Sequence, residues 1–183
     1  MSATTAQETT VWNIDAAHSL IEISAKHMMF TTVKGRITGV NGTITVHGTD
    51  PAQSSVEAEL DASTISTGNE MRDNHMRSAD FLDVEHYPTI TFKSTRIEPQ
   101  GGDRLRVTGD LTIRGVTKEV TLDTTLVGQG KNPRGVEVIG FSAETTINRK
   151  DFGLNWNVAL ETGGWLLSDT FKVSIEIQAA KQE

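Results

Sequence analysis

Along most of this chain apolar and polar residues alternate one by one. Ile21, Ile23, Ala25, His27 and Met29 share one phase, and Glu22, Ser24 and Lys26 take the other. Val56, Ala58, Leu60 and Ala62 alternate with Glu57, Glu59 and Asp61; Leu105, Val107, Gly109, Leu111 and Ile113 alternate with Arg106, Thr108, Asp110, Thr112 and Arg114. The same period runs through Val120–Leu126, Ile139–Ile147 and Phe171–Ala179, and a further run carrying Ile90 and Phe92 starts after Pro88. A period of two sends successive side chains to opposite faces of a strand. Strands with one apolar and one polar face belong to antiparallel sheet, because a parallel sheet buries both faces.

Turn-forming residues separate these runs at Gly48–Pro51, Pro99–Asp103 and Gly128–Gly135, which predicts a meander with hairpin connections. Asn41-Gly42 reads either as a hairpin turn or as a bulge bending one long strand from Val33 to His47; the slipping apolar phase favours the bulge. Two segments break the alternation. Thr67 and Glu70 fit a capping box, and Met71, His75, Ser78 and Leu82 follow at helical spacing, with Asp73 and Arg77 as an i,i+4 ion pair. This predicts one short helix over about residues 68–79, packed on the sheet. Asp151–Ser168 carries Phe152, Leu154, Trp156, Val158, Leu160, Trp165 and Leu166, too apolar for an ordinary loop, and is expected to cover the mouth of something.

Roughly eight such strands predict an all-β fold, an extended eight-stranded antiparallel barrel of the kind that in lipocalins holds one ligand. Inward positions repeatedly use small residues: Ala25, Ala58, Ala62, Gly109, Gly128 and Ala143. Along several strands these leave an elongated apolar void, unless large neighbours such as Met29, Phe92 and Phe141 fill it. Alternation leaves both readings open, a ligand tunnel or a packed barrel serving as a structural or protein-interaction module.

Length and charge narrow the field. The chain of 183 residues, 36% of them hydrophobic, suits one domain with a sizeable core, here residues 11–181 after a disordered tail over residues 1–10. Lys and Arg number 17 against 24 Asp and Glu, a formal charge of −7 with no basic cluster, so a nucleic-acid partner is not expected. The absence of cysteine excludes disulfides and thiolate chemistry. No run approaches the ~20 apolar residues of a membrane-spanning helix, and stable membrane insertion is not expected. The opening MSATTAQETT has neither a basic start nor an apolar stretch, so as written the chain is expected in the cytoplasm.

Longer motifs carry a resemblance. RDNHMRSADFLDVEHYPTITFKS (Arg72–Ser94), WNIDAAHSLIEISAKHMMF (Trp12–Phe30), VKGRITGVNGTI (Val33–Ile44), VTGDLTIRGVTKEVTL (Val107–Leu122) and GFSAETTINRKDFGLNW (Gly140–Trp156) resemble, over nearly the whole chain from about Val11 to Ala179, the YceI-like family of bacterial polyisoprenoid-binding, lipocalin-like proteins. The resemblance implies an eight-stranded barrel with a capping helix, a polyprenyl or fatty chain in its lumen, and no catalytic residue or cofactor. Many family members are periplasmic or secreted. Alternation and resemblance together place Ile23, Ala25, His27, Met29, Phe92, Leu111, Ile113, Leu122, Phe141, Ala143, Phe152, Trp156 and Trp165 around the ligand; homodimerisation stays open.

Reactive chemistry finds little support. His18, His27, His75 and His86 lie in the family-like stretches, but without the close pairing that metal ligation needs, so hydrogen-bonded structural roles are expected. Arg72, Asp73, Arg77, Asp80, Asp83 and Glu85 are read as ions that pin the helix rather than as an acid–base pair. Arg149 and Asp151 are expected to flank a turn that positions Phe152. The glycine-rich stretch Gly128–Gly135 lacks the GK[ST] ending of a phosphate loop and lies between strands.

Overall fold

The computed structural model describes residues 8–183, so most of the expected tail lies outside the described residues; Thr9 and Thr10 already belong to a strand. Ten strand segments follow in order: β1 (Thr9–Ile14), β2 (Leu20–His27), β3 (Thr31–Ile37), β4 (Val40–His47), β5 (Ser55–Asp61), β6 (Thr89–Gly101), β7 (Arg104–Ile113), β8 (Val116–Lys131), β9 (Glu137–Asn148) and β10 (Thr170–Lys181). One helix, α1 (Glu70–Arg77), interrupts them between β5 and β6. The described pairings are antiparallel, in the order β1-β4-β5-β6-β7-β8-β9-β10, and β10 returns to β1 to close the ring. This is a closed eight-stranded antiparallel barrel.

The remaining two segments are extensions. β2 continues β1 along β10 after a single 3₁₀ turn at Ala16–His18, and the Ser19 hydroxyl patches the break by exchanging hydrogen bonds with the Gln178 backbone. β3 and β4 form the matching long strand, interrupted at Thr38–Gly39. There the Gly39 N–H donates to the Thr64 hydroxyl at 3.1 Å and its carbonyl accepts from Asp61 N–H at 2.7 Å. A Cβ on Gly39 would lie 2.8 Å from Thr64 Cγ2, so only glycine lets the kink nest there. The expected bulge at Asn41-Gly42 is thus corrected: the bend sits three residues earlier, at Thr38–Gly39, and Gly42 stays in register opposite Ala58, with φ at +148° and its missing Cβ replaced by Glu57 carbonyl.

Among the described residues no strand pairs with the outer edge of β3. A two-way backbone bridge joins Arg36 to Ser66, and α1 follows to cover that side. Eight residues are too few for a helix that stands alone, so side chains fasten it. Asp73 Oδ1 accepts from both the Thr67 N–H and the Thr67 hydroxyl, at 2.7 and 2.6 Å. Arg77 donates to the Ser63 and Ile65 carbonyls. The expected capping box is corrected as well: Asn69 is the N-cap, accepting from Arg72 N–H, while Thr67 is taken by Asp73. Arg77 spends its guanidinium on carbonyls rather than on the Asp73 ion pair that spacing suggested.

The Thr67 hydroxyl holds the Asp73 carboxyl below its ordinary pKa, with help from the Thr67 N–H and the charges of Arg77 and Arg72 and against the effect of burial. A depressed folded value means that this contribution to stability is full above the unfolded pKa of ~3.9 and disappears as pH falls through the folded one. Asp73→Asn is therefore expected to flatten the acid side of the Tm-versus-pH curve below about pH 4. Melting curves of both proteins across that range check it; parallel acid limbs would assign the acid lability elsewhere.

Candidate functional site: an apolar lumen in two chambers

The alternating residues converge inside the barrel without filling it. A first chamber of about 380 Å³ occupies the half away from the helix, walled by Val56, Ala58 and Leu60 of β5, Leu105, Val107 and Leu111 of β7, Val120, Leu122 and Leu126 of β8, Phe141 and Ala143 of β9, and Val173, Ile175 and Ile177 of β10. A second, of about 260 Å³, lies under α1 between Ile23, Ala25 and Val33 on one side and Ile113, Ile147 and Phe171 on the other. Ile90, at the start of β6 and 5% exposed, belongs to both walls. Dry apolar cavities of about 150 Å³ already take up hydrocarbon, and each chamber is larger than that.

The second chamber opens at the helix end, where exposed His27 and Arg72 stand on its rim. Trp156 closes its roof and packs edge-on against His75 at 4.5 Å, with Phe81 at 5.3 Å completing the aromatic cluster. The roof is held by Arg149, whose side chain is 0% exposed. Its guanidinium donates to the carbonyls of Leu154 at 2.6 Å, Trp156 at 2.8 Å and Ser168 at 2.9 Å, gathering both ends of the 151–168 segment around one cation. Burial lowers the Arg149 pKa, and Asp169, 3.9 Å away, works in the opposite direction. The turn that follows does bury Phe152, at 1% exposure, but Arg149 also organises the whole roof.

The residues singled out in the sequence separate accordingly. Phe92, Leu111, Leu122, Phe141 and Ala143 line the first chamber, and Ile23, Ala25, His27, Ile113 and Trp156 the second. Phe152, Trp165 and Met29 line neither: Phe152 is packed in the core and Trp165 is exposed. Met29 is corrected from the inner face to the surface, because β2 ends at His27 and Met29 sits in the turn that follows. Two of the small residues are also reassigned. The ring of Phe92 lies over Gly109, where a Cβ would come within 2.6 Å of it, so that glycine accommodates a ring rather than a void; Gly128 is exposed. Ala62 is buried in a 3₁₀ turn outside both chambers.

Sequence reasoning missed His47. Its Nδ1 is buried in the first chamber's wall without a hydrogen-bond partner, in a lining that is mostly apolar but also carries Ser54, Asp103 and Gln129. His47 is out of phase with Ile44 and Val46 and enters the wall only because β4 ends there, so alternation could not have flagged it. Three other histidines bond to a nearby carboxylate, each in its own turn: His18 to Asp15, His75 to Asp80 and His86 to Asp83. The Asp83 hydrogen bond raises the His86 pKa. Among the described residues no three His, Asp or Glu side chains cluster as a metal site would.

Comparison with known proteins gives this geometry its relatives. Over 140 residues the chain is 39% identical to the YceI protein of Escherichia coli O157:H7, covering 76% of this chain and 73% of that one. The crystal structure of the Campylobacter jejuni YceI protein superposes with a TM-score of 0.73 at 32% identity, over 86% of this chain and 90% of the other. A polyisoprenoid-binding domain from Saccharophagus degradans, implicated in plant cell wall breakdown, shares the fold at a TM-score of 0.68 and 14% identity, over 93% and 98% of the two chains. The family model for the YceI-like domain matches residues 12–179, from the first strand of the barrel to its last, and the chain belongs to that family.

Proposed function

We propose that this protein binds a long-chain apolar lipid, a polyisoprenoid or a fatty chain, and carries or sequesters it without chemical change. The observation that carries the reading is the pair of apolar chambers adjoining at Ile90 inside a closed barrel. Taken together they fall within the ~300–1,000 Å³ typical of small-molecule sites, and their elongated arrangement suits a chain better than a compact ring system. Transfer of hydrocarbon from water supplies ~0.8 kcal/mol per buried CH₂. Affinity then follows chain length, while polar groups on the walls, among them His27 and Arg72 at the rim of the second chamber and His47 at the end of β4 in the first, select what the chain carries. The name of the Saccharophagus degradans relative points to the same ligand class, and the paired histidines and helix-bound carboxylates fit structural roles.

Protein purified without detergent is expected to yield a near-stoichiometric long-chain species on organic extraction, identified by mass spectrometry. A clean extract from protein that also refuses added polyprenols and fatty acids would refute the proposal.

A further inference from the structure

Large exposed apolar side chains are concentrated at one end of the barrel, around the opening of the second chamber. Met29, Phe30, Met71, Val158 and Trp165 are all exposed there, Phe30 at 81% and Met71 at 83%. Each lies within three residues of a chamber residue in sequence. The Met28–Phe30 turn follows His27, Met71 precedes Arg72, Val158 comes two residues after Trp156, and Trp165 precedes Leu166. Backbone hydrogen bonds join the Met28–Phe30, Val158 and Trp165 segments: Met28 N–H donates to the Leu166 carbonyl at 2.7 Å, and Leu166 N–H to the Val158 carbonyl at 2.9 Å.

The turn itself is built against local preference. Met28 and Met29 both hold left-handed backbones, at φ 52° and 64°, a conformation that turns ordinarily give to Gly or Asn. Two long apolar side chains thus occupy a strained tip where small polar residues would cost less, Met28 half-buried and Met29 facing solvent. Strain of this kind persists where a side chain's position serves a purpose. Charge completes the pattern. Lys26 beside the turn bonds the Thr32 hydroxyl, and Arg72 beside Met71 bonds Thr67; among the described residues neither is ion-paired with a carboxylate, in a chain of net charge −7.

We infer that this rim docks on the surface of a phospholipid bilayer, the apolar tips entering the acyl boundary while Lys26 and Arg72 meet lipid phosphates. Apolar tips backed by cations match the layering of a bilayer interface. The acidic remainder of the molecule keeps such docking reversible. The inference deepens the lipid-binding reading, since it sets the opening of the lumen against the phase where an insoluble chain resides, so that cargo need not cross water.

The test compares the protein with its Met29→Ser/Phe30→Ser variant, altered only at exposed side chains, on phosphatidylcholine vesicles containing a minor share of phosphatidylglycerol. In flotation the native protein is expected to rise with the vesicles and the variant to lose about tenfold in vesicle affinity, from the apolar area removed from the contact. Loading from vesicles should slow in the variant by a similar factor, while capacity for a polyprenol delivered from ethanol stays the same. Equal flotation of the two proteins, or a native protein that does not float, would overturn the inference. So would a native dimer that the substitutions dissociate without any vesicle binding, since the rim would then be covered by a second copy of the chain. Flotation that persists in a protein holding no lipid by either route would leave docking intact and remove the lipid-binding reading instead.

Discussion

Replacing Arg149 by methionine is expected to lower the melting temperature by about 10 °C. The methionine fills similar space but donates no hydrogen bonds, so the carbonyls of Leu154, Trp156 and Ser168 lose the guanidinium that satisfies them. A buried carbonyl left unpaired, as at Leu154, costs about 1–3 kcal/mol, and the half-buried ones of Trp156 and Ser168 cost less each; removing the buried cation's own desolvation returns part of this, leaving a net loss of about 3 kcal/mol. In a domain of this size each kcal/mol moves Tm by about 2–4 °C. Arg149→Lys should recover only a fraction, because an ammonium cannot fork across several carbonyls as a planar guanidinium does. Lys150→Ala, which removes an exposed partner of the same Asp169, should leave Tm within about 1 °C. Thermal melts followed by near-ultraviolet circular dichroism distinguish these cases. A native-like melt for the methionine variant would mean that the roof stands without its cation.

The second large effect is expected at Ile90, where the two chambers meet. Ile90→Ala should open them into one lumen, at a cost in the empty protein of about 2–5 kcal/mol for a truncated core side chain. The lipids it retains should shift toward longer chains. Ile90→Trp should do the reverse and confine the ligand to one chamber. Denying burial to only two methylenes costs about 1.6 kcal/mol, more than tenfold in Kd, so affinity for the native protein's longest ligand should fall by at least that factor. Mass spectrometry of extracts and competition binding against chains of graded length measure both changes. An unchanged chain-length profile in the two variants would show that the ligand never passes Ile90.

The lumen was legible in the sequence because its walls are half-buried strands, and one-by-one alternation is what such strands impose. Val56, Ala58 and Leu60, or Val173, Ile175 and Ile177, face the chambers as their phase requires. What failed was inference beyond the ends of the period. Met29 kept the apolar phase of β2 although the strand had stopped, and no Gly or Asn marked the left-handed turn that stopped it. Thr67 and Asn69 are both competent caps; the choice between them depended on Asp73, a contact that spacing does not encode. The small residues were misleading where the partner strand decided their use, as with Gly109 under the ring of Phe92. Asp151–Ser168 was recognisable as a cover from its apolar content, but not the buried arginine that fastens it, since arginine in a loop ordinarily signals solvent.

The position of β10 in the ring also orders events in time. It pairs with β9 along its length, with β2 near its start and with β1 near its end. Closure therefore joins the barrel's first strand to its last, and the ring cannot shut before β10 has begun to emerge. Until then the nascent chain exposes two unpaired sheet edges and the apolar walls between them, the features that recruit chaperones and promote aggregation. Contacts between strands so distant in sequence also make the closing step slow. Production of this protein should thus respond more to chaperone supply during translation than its final stability would suggest.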